Sequence, residues 1–240
     1  MSEAALFRAF ERTWPAAEYA DAGGFSVGRG RGGGGRVSSA RKAGNWSPDD
    51  IEAAADLQRG WDQEPMFRVL DSDHALTEAL EDRGYARTNP TAIMAVSVER
   101  LTDRDLPPVT AFTVWPPLAI QREIWSAGNI GPSRQAVMDR VTGPKAALLG
   151  RIEDRAAGAG FVAIDSGVAM IHAVEVLLPW RRKGLAAWMM RAAAFWAREN
   201  GAETLGLAVS RPNVGALALY ERLGFVEKAG YAYFRKPEQA

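Results

Sequence analysis

Residues 177–202, LLPWRRKGLAAWMMRAAAFWARENGA, decide the fold of their half of the chain. Three consecutive cations at 181–183 precede Gly184, and a long apolar run follows. The helical spacing of that run predicts a helix that ends near residue 200, before a glycine. Because the first turn of a helix already carries partial positive charge, cations just before it are locally unfavourable. The arrangement therefore indicates that an anion binds among them.

The spacing Arg181-x-x-Gly184-x-Ala186 lies between a predicted strand and this helix. Consecutive N–H groups in a tight turn form a concave anion site, and the free N–H groups of a helix N-terminus extend it. Gly184 and Ala186 let a ligand approach the backbone closely, which suits a pyrophosphate. Only one glycine is present and no Gly-Lys-Ser/Thr follows, which excludes the Walker and Rossmann patterns. The alternative is a surface loop with solvated cations.

The composition predicts a globular protein with a large core. The 240 residues are 47% hydrophobic and 24% charged, with a net charge of zero. Residues 1–108 carry 13 Lys+Arg against 18 Asp+Glu, whereas residues 109–240 carry 16 against 11, so the second half favours an anionic ligand. The absence of cysteine excludes thiolate metal sites and a cysteine nucleophile. We predict a cytoplasmic protein without a metal, a nucleic-acid partner or a membrane partner, as a monomer or homodimer.

The segment at residues 103–109 is predicted to be a linker, because its two prolines interrupt both helices and strands. It separates a domain at 1–108 from a domain at 109–240. The predicted helices are 47–60, 74–85, 116–128, 131–141, one reaching residue 200, and 213–225; the predicted strands are 66–70, 91–101, 146–154, 158–165, 168–178, 204–210 and 231–236. In the second domain the order after its first helices is β-β-β-α-β-α-β. That order predicts a mixed α/β (α+β) sheet with helices on its faces.

A second motif, Asn213-x-x-Ala216-x-x-Leu219-Tyr220-x-x-x-Gly224-Phe225, follows the first after one helix and one strand. Together the two motifs resemble those of the GCN5-related N-acetyltransferase (GNAT) superfamily, over about residues 110–236. The departure is alanine at 186, where glycine is commoner. The resemblance implies the GNAT fold, a mixed and mostly antiparallel sheet flanked by helices.

The resemblance also implies acetyl-CoA as co-substrate. The residues implied in binding it are Val174, Val176, Arg181, Arg182, Lys183, Gly184, Leu185, Ala186, Asn213 and Tyr220. The edge at 174–176 would pair with the pantetheine arm like an added strand, which requires strand 171–178 to splay from strand 204–210. Asn213 would hydrogen-bond the pantetheine, cap the helix, or both.

As chemistry, the resemblance implies an N-acetyltransferase in which an amine attacks the thioester directly, through a tetrahedral intermediate and without an acyl-enzyme. A backbone N–H near Val176 would stabilise the oxyanion, and Tyr220 would protonate the leaving thiolate. The alternative for Tyr220 is a core aromatic. The second class of function is a non-catalytic acyl-CoA-binding or partner-docking module, since a fold does not fix a function. The sequence does not indicate which amine is the acceptor.

Two residues are candidates for the base that deprotonates the amine. His172 stands in a run similar to His-Ala-Leu-Ala-Val of serotonin N-acetyltransferases, and Glu175 follows three residues later. Strand alternation puts them on opposite faces, unless a bulge reverses the parity. The alternatives are a core histidine, a structural carboxylate, or a water chain in place of both.

The first half resembles a degenerate copy of the second. A shift of 140 residues aligns 41–85 with 181–225 without a gap, and Arg41-Lys42-Ala43-Gly44 then falls on 181–184. Ala186 corresponds to Trp46, Asn213 to Asp73 and Tyr220 to Leu80. We therefore predict a tandem protein whose first half has lost cofactor and catalysis. The glycine-rich stretch 23–36 is interpreted as a hairpin turn or mobile loop, with RNA contact as the alternative.

Overall fold

A computed structural model describes residues 2–237 of the chain. The helices are α1 (Glu3–Arg12), α2 (Gly35–Ser38), α3 (Pro48–Gly60), α4 (His74–Glu81), α5 (Val98–Leu101), α6 (Ala119–Ala127), α7 (Pro132–Asp139), α8 (Leu185–Glu199) and α9 (Val214–Arg222), with a 3₁₀ turn at Leu178–Trp180. The strands are β1 (Glu18–Ala22), β2 (Phe25–Arg29), β3 (Ala40–Lys42), β4 (Met66–Leu70), β5 (Ala86–Ser97), β6 (Ala111–Val114), β7 (Lys145–Ile152), β8 (Arg155–Asp165), β9 (Val168–Val176), β10 (Thr204–Ser210) and β11 (Val226–Arg235). Among residues 2–237, no helix combines the length and apolar character needed to cross a bilayer.

The chain divides into two compact units that are discontinuous in sequence. The described part of unit 1 comprises residues 2–14, 94–208 and 214–228. The described part of unit 2 comprises residues 15–93, 209–213 and 229–237. The predicted boundary at 108/109 therefore falls inside unit 1, and the division into two repeat copies at that point stays a prediction.

The sheet of unit 1 runs in the order β10-β9-β8-β7-β6. The pairs β6/β7, β7/β8 and β8/β9 are antiparallel, whereas β9 and β10 are parallel. The parallel pair requires a crossover, which α8 provides. The helix is seated closely, because a Cβ on Gly158 of β8 would lie 2.8 Å from Sδ of Met189. This mixed, mostly antiparallel sheet confirms the predicted fold class.

The sheet of unit 2 contains β1-β2-β3-β4-β11. The β3/β4 pair is parallel and the others are antiparallel. Its last strand comes from the C-terminal region, with Tyr231 opposite Leu70 and Arg235 opposite Met66. Under this sheet, α3 and α4 cover an apolar core that includes Phe25, Phe67 and Leu80. A segment of residues 1–108 alone would therefore lack one strand of unit 2.

The repeat is visible in the order of elements. Helices α4 and α9 begin at His74 and Val214, 140 residues apart, and β5 and β11 begin at Ala86 and Val226, again 140 apart. The gapless alignment fails farther upstream, because Arg41 and Lys42 lie inside β3 rather than in a loop before a helix. Residues 98–101, predicted as strand, form α5. The elements that were not predicted are α1, α2, β1, β2, β3 and β6.

The glycine-rich stretch 23–36 contains the turn of the β1–β2 hairpin, strand β2 and the start of α2, and two glutamines hold it in place. Gln63 Oε1 accepts from the N–H of Gly30 at 2.7 Å, and its Nε2 donates to the carbonyl of Gly28 at 2.9 Å. Gln58 donates to the carbonyl of Ser38 at 2.8 Å. Packing requires glycine at 28, because a Cβ there would lie 2.4 Å from the Val37 carbonyl oxygen.

We expect Gly28→Ala to lower the free energy of unfolding by about 1–3 kcal/mol, the usual cost of overpacking. The matched control is Gly44→Ala, because a Cβ at Gly44 meets no atom within 4 Å. Thermal and urea unfolding of both variants measure the difference. Equal stability of the two variants would contradict this account of the loop.

Candidate active site

The candidate site begins where two parallel strands of unit 1 separate. The pairing of β9 with β10 runs from Val168 opposite Thr204 to Ile171 opposite Leu207 and stops there. Strand β9 continues to Val176, and β10 continues to Ser210. The backbone of β9 beyond Ile171 is thus an edge on that side. The predicted splay of the two strands is confirmed.

A β-bulge interrupts β9 at the same level. Phe161 of β8 lies opposite His172 and Ala159 lies opposite Glu175, so Ala173 and Val174 together oppose one residue of β8. Ala173 has a φ of 52°, in the left-handed region that residues with a Cβ avoid. Since residues 159 and 161 share one face of β8, His172 and Glu175 share a face too. The bulge therefore reverses the simple alternation of the strand.

Backbone directions after the bulge follow from one hydrogen bond. The N–H of Leu177 donates to the carbonyl of Ala157 at 2.9 Å, toward β8. Backbone groups of alternate residues point to opposite sides of a strand, so the N–H and C=O of Val176 point away from β8. Consistent with this, the Val176 carbonyl accepts from Nε of Arg181 at 2.8 Å. The free edge of β9 thus presents the Val176 N–H.

The loop that joins β9 to α8 presents a run of unbonded N–H groups. Arg182 and Gly184 have φ values of 65° and 83°, which turn the chain sharply. No acceptor within residues 2–237 bonds to the N–H groups of residues 182–186. No side chain caps α8, and its first turn holds no acidic residue. Such consecutive free N–H groups at a helix N-terminus form an anion site.

The three cations of the loop are exposed. Arg181 pairs with Glu175 at 2.9 Å, and Lys183 pairs with Glu153 at 3.4 Å. Arg182 makes no ion pair with any residue of the described chain. Exposed ion pairs contribute at most about 1 kcal/mol, so they do not commit these side chains against a phosphate.

The corresponding helix of unit 2 differs at its N-terminus. There Oδ2 of Asp50 accepts from the N–H of Ser47 at 2.8 Å and from that of Gly24 at 3.2 Å. These two hydrogen bonds, that of Ser47 foremost, hold the pKa of the Asp50 carboxyl below its usual value. The carboxylate of Asp50 thus occupies the N-terminal end of α3. A phosphate would meet this carboxylate, which supports the predicted loss of cofactor binding in the first half.

The carboxylate of Glu175 lies at the end of β9, next to α6. Its side chain is 14% exposed, and a Cβ on Gly128 would lie 2.3 Å from its Oε2. Its other oxygen accepts from Arg181. Glu175 is thus one residue away from the free N–H of Val176, on a strand edge that reaches solvent.

His172 is buried, with 6% of its surface exposed. Its ring lies among Trp14, at 5.2 Å between centroids, and Phe161, at 6.2 Å. Nε2 lies 2.8 Å from Oγ1 of Thr13. Because that hydroxyl donates its one hydrogen to the Ala9 carbonyl at 2.6 Å, it accepts from Nε2–H of His172. One ring nitrogen is therefore committed to an inward hydrogen bond.

The second motif places its residues around the start of α9. Asn213, a residue of unit 2, directly precedes α9 in sequence. It is exposed, and its N–H donates to the Ser210 carbonyl at 2.9 Å. Tyr220 lies in unit 1, half-buried, with its ring 5.7 Å from that of Phe225. Burial raises the pKa of Tyr220 to about 12. No residue of the described chain hydrogen-bonds to its hydroxyl.

Sequence reasoning missed two contributors to this region, Thr13 and Trp125. Thr13 ends α1, whose apolar residues Leu6 and Phe10 have the helical spacing that could have revealed it. Nε1 of Trp125 donates to the Ala173 carbonyl at 2.8 Å, a contact 48 residues apart that no local pattern encodes.

Known proteins resemble the chain in both sequence and fold. The pattern of the Acetyltransferase (GNAT) family matches residues 118–225. An uncharacterized N-acetyltransferase, YobR of Bacillus subtilis (strain 168), is 33% identical over 66 residues. That alignment covers 28% of this chain and 27% of the relative's length.

Among solved structures, a GCN5-related N-acetyltransferase from Kribbella flavida is 22% identical, with a TM-score of 0.68, over 98% of this chain and 93% of that one. A tandem GNAT protein from the clavulanic acid biosynthesis pathway is 15% identical, with a TM-score of 0.61, over 82% of this chain and 74% of that one. At these identities the likeness shows the fold. The fold is thus shared both with a GNAT protein over nearly its whole length and with a tandem one.

We expect Ala187→Asp to weaken CoA binding at least about tenfold. The substitution places a carboxylate at the third residue of α8, as Asp50 is the third residue of α3, and this carboxylate would repel a phosphate. Ala187→Asn, of similar size but neutral, is the matched control and should bind CoA nearly as wild type does. Isothermal titration of both folded variants measures the difference. Equal affinities for CoA would show that the amides of α8 hold no anion.

Proposed function

Residues 118–225 of this chain belong to the Acetyltransferase (GNAT) family, and on that premise we propose that the protein is an N-acetyltransferase that uses acetyl-CoA and an amine acceptor. One observation carries the proposal: the unbonded N–H groups of residues 182–186 follow directly on the strand edge left free beyond Ile171. The first feature suits a diphosphate and the second suits an amide chain, and CoA contains both in one molecule.

The residues present fit this co-substrate. The N–H groups of Arg182, Lys183, Gly184, Leu185 and Ala186 would hold the pyrophosphate, with the side chains at 181–183 adding positive charge. The edge at Val174 and Val176 would hold the pantetheine amides, and Asn213 lies at the start of α9 as a further polar group. When bound, acetyl-CoA supplies an acetyl group activated as a thioester. The reaction requires no metal, and no group of three or more potential metal ligands lies among the described residues.

The N–H of Val176 is the donor for negative charge that develops on an acyl oxygen. It points away from β8, toward the edge of β9 that no longer pairs with β10. Its direction is fixed by the neighbouring hydrogen bond from Leu177 to Ala157, so it needs no reorganisation. A preorganised donor of this kind lowers a barrier most effectively.

We assign Glu175 as the base that accepts a proton from the incoming ammonium. Its carboxylate lies at the strand edge next to the Val176 N–H, whereas Nε2 of His172 is bonded inward to Thr13. Arg181 Nη2 lies 2.9 Å from Oε1 of Glu175 and holds the carboxylate at this position. In this assignment His172 has a structural role, since its hydrogen bond to Thr13 joins the end of α1 to β9.

Tyr220 is the proton donor for the leaving thiolate. Because burial raises its pKa to about 12, the phenol holds its proton throughout the neutral range. Its hydroxyl also makes no hydrogen bond within residues 2–237 that would divert the proton. The phenol is thus protonated at neutral pH, as a proton donor must be.

The variants Glu175→Gln and His172→Gln separate the two base candidates. We expect Glu175→Gln to lower kcat at neutral pH about 100-fold, because the amide accepts no proton. His172→Gln should mainly lower the midpoint of thermal unfolding and keep most of the turnover of the folded fraction. Steady-state kinetics and calorimetry measure both effects. The reverse pattern, with turnover lost only in His172→Gln, would assign the base to His172.

For Tyr220→Phe we expect kcat to fall at least about tenfold while CoA affinity changes little, since only a proton donor is removed. Wild-type kcat should show no loss from tyrosine ionisation below about pH 10, because the folded pKa lies near 12. Tyr85→Phe is the control, as the Tyr85 hydroxyl is buried in unit 2 without a hydrogen-bond partner. Turnover that is equal in Tyr220→Phe and Tyr85→Phe would remove Tyr220 from the mechanism.

The activity itself is tested by release of free CoA across a panel of small amines, amino acids, aminoglycosides and peptides. Turnover of at least one amine class that depends on Glu175 supports the proposal. Tight CoA binding with no turnover across the whole panel would instead favour a non-catalytic binding protein.

A further inference from the structure

The bulge in β9 leaves a carbonyl that the sheet does not pair. Ala173 and Val174 together face one residue of β8, so they lie outside the regular ladder. Ala173 also holds a left-handed φ of 52°, which glycine adopts freely and alanine does not. A conformation of this kind persists only where its surroundings impose it.

The indole of Trp125 supplies the missing partner. Its Nε1 donates to the Ala173 carbonyl at 2.8 Å, and the whole side chain is 0% exposed. A buried carbonyl without a donor is costly, so this hydrogen bond favours the left-handed peptide over a regular strand. The same helix, α6, also touches Glu175, through Gly128 at its end. One helix thus contacts both the turn in the strand and the carboxylate beyond it.

Both functional groups that follow depend on the direction of this peptide. A regular strand would put Glu175 on the opposite face and turn the Val176 N–H toward β8. With the bulge, the carboxylate lies on the face of α6 and the N–H points to the free edge. Resting on the proposed function, we propose that Trp125 is a positioning residue, whose N–H fixes the Ala173 peptide and thereby sets the base and the oxyanion donor.

The test uses Trp125→Phe in the full chain, which keeps an aromatic ring and removes the N–H. We expect kcat to fall at least about tenfold with CoA affinity within about threefold of wild type, because small displacements of reacting groups are costly in rate. Trp61→Phe, in unit 2, is the control for the same substitution elsewhere and should leave kcat unchanged. A Trp125→Phe variant with wild-type kcat would overturn the proposal.

The rescue variant separates positioning from stability. Trp125→Phe/Ala173→Gly places at 173 a residue that adopts a positive φ without strain, so most of the lost kcat should return. Loss of packing around the ring alone would not respond to a change at residue 173. If the double variant stays as slow as Trp125→Phe, the indole does not act through the Ala173 peptide and the proposal fails.

Amide exchange separates this proposal from the proposed activity. Peptides that cover 168–178 should exchange faster in Trp125→Phe than in wild type or in Trp61→Phe, and the double variant should restore protection. If the wild type turns over no amine but this exchange pattern holds, the proposed function fails and Trp125 still fixes the bulge. If exchange is the same in all four proteins, the proposal about Trp125 fails whatever the activity.

Discussion

Every backbone N–H needs a hydrogen-bond acceptor, and the candidate site lies where this need is not met within the protein. In the described part of the chain, the five successive N–H groups of residues 182–186 have no acceptor, and β9 pairs with no strand on the side of β10 beyond Ile171. Such groups are tolerated only where water or a ligand meets them. The seat of α8 on the glycines of β8 fixes where they point. In the proposed function, these N–H groups are the ones that hold the diphosphate.

The N-terminus of α3 in unit 2 differs from the N-terminus of α8 in unit 1 by only a few residues. Both α3 and α8 follow a strand that pairs in parallel with the next one. Helix α3 begins with proline and two aspartates and bonds Asp50 to the preceding turn, whereas α8 begins with three small or apolar residues. The two helix ends therefore differ in a carboxylate that is hydrogen-bonded at the start of α3 and has no counterpart at the start of α8.

Much of this arrangement was predictable from local patterns, because strands, crossover helices and the 181–186 loop are encoded by neighbours in sequence. The splay of β9 and the mostly antiparallel sheet followed from those patterns and from the family resemblance, whereas the bulge was only an alternative to simple alternation. The contacts behind the proposed choice of Glu175 over His172 did not, since they involve Thr13 and Trp125, which are 159 and 48 residues from their partners. Nor did the composition of unit 2, whose β4 pairs with a strand from far along the chain.

That last pairing has a consequence for biogenesis. Strand β4 is complete once residue 70 has been synthesised, but β11, which pairs with its edge, is complete only at residue 235. For more than half of translation, unit 2 therefore exposes a strand edge that can pair with other chains. The ribosome must deliver nearly all of unit 1 before unit 2 can close, so aggregation during synthesis is a hazard set by the order of the strands.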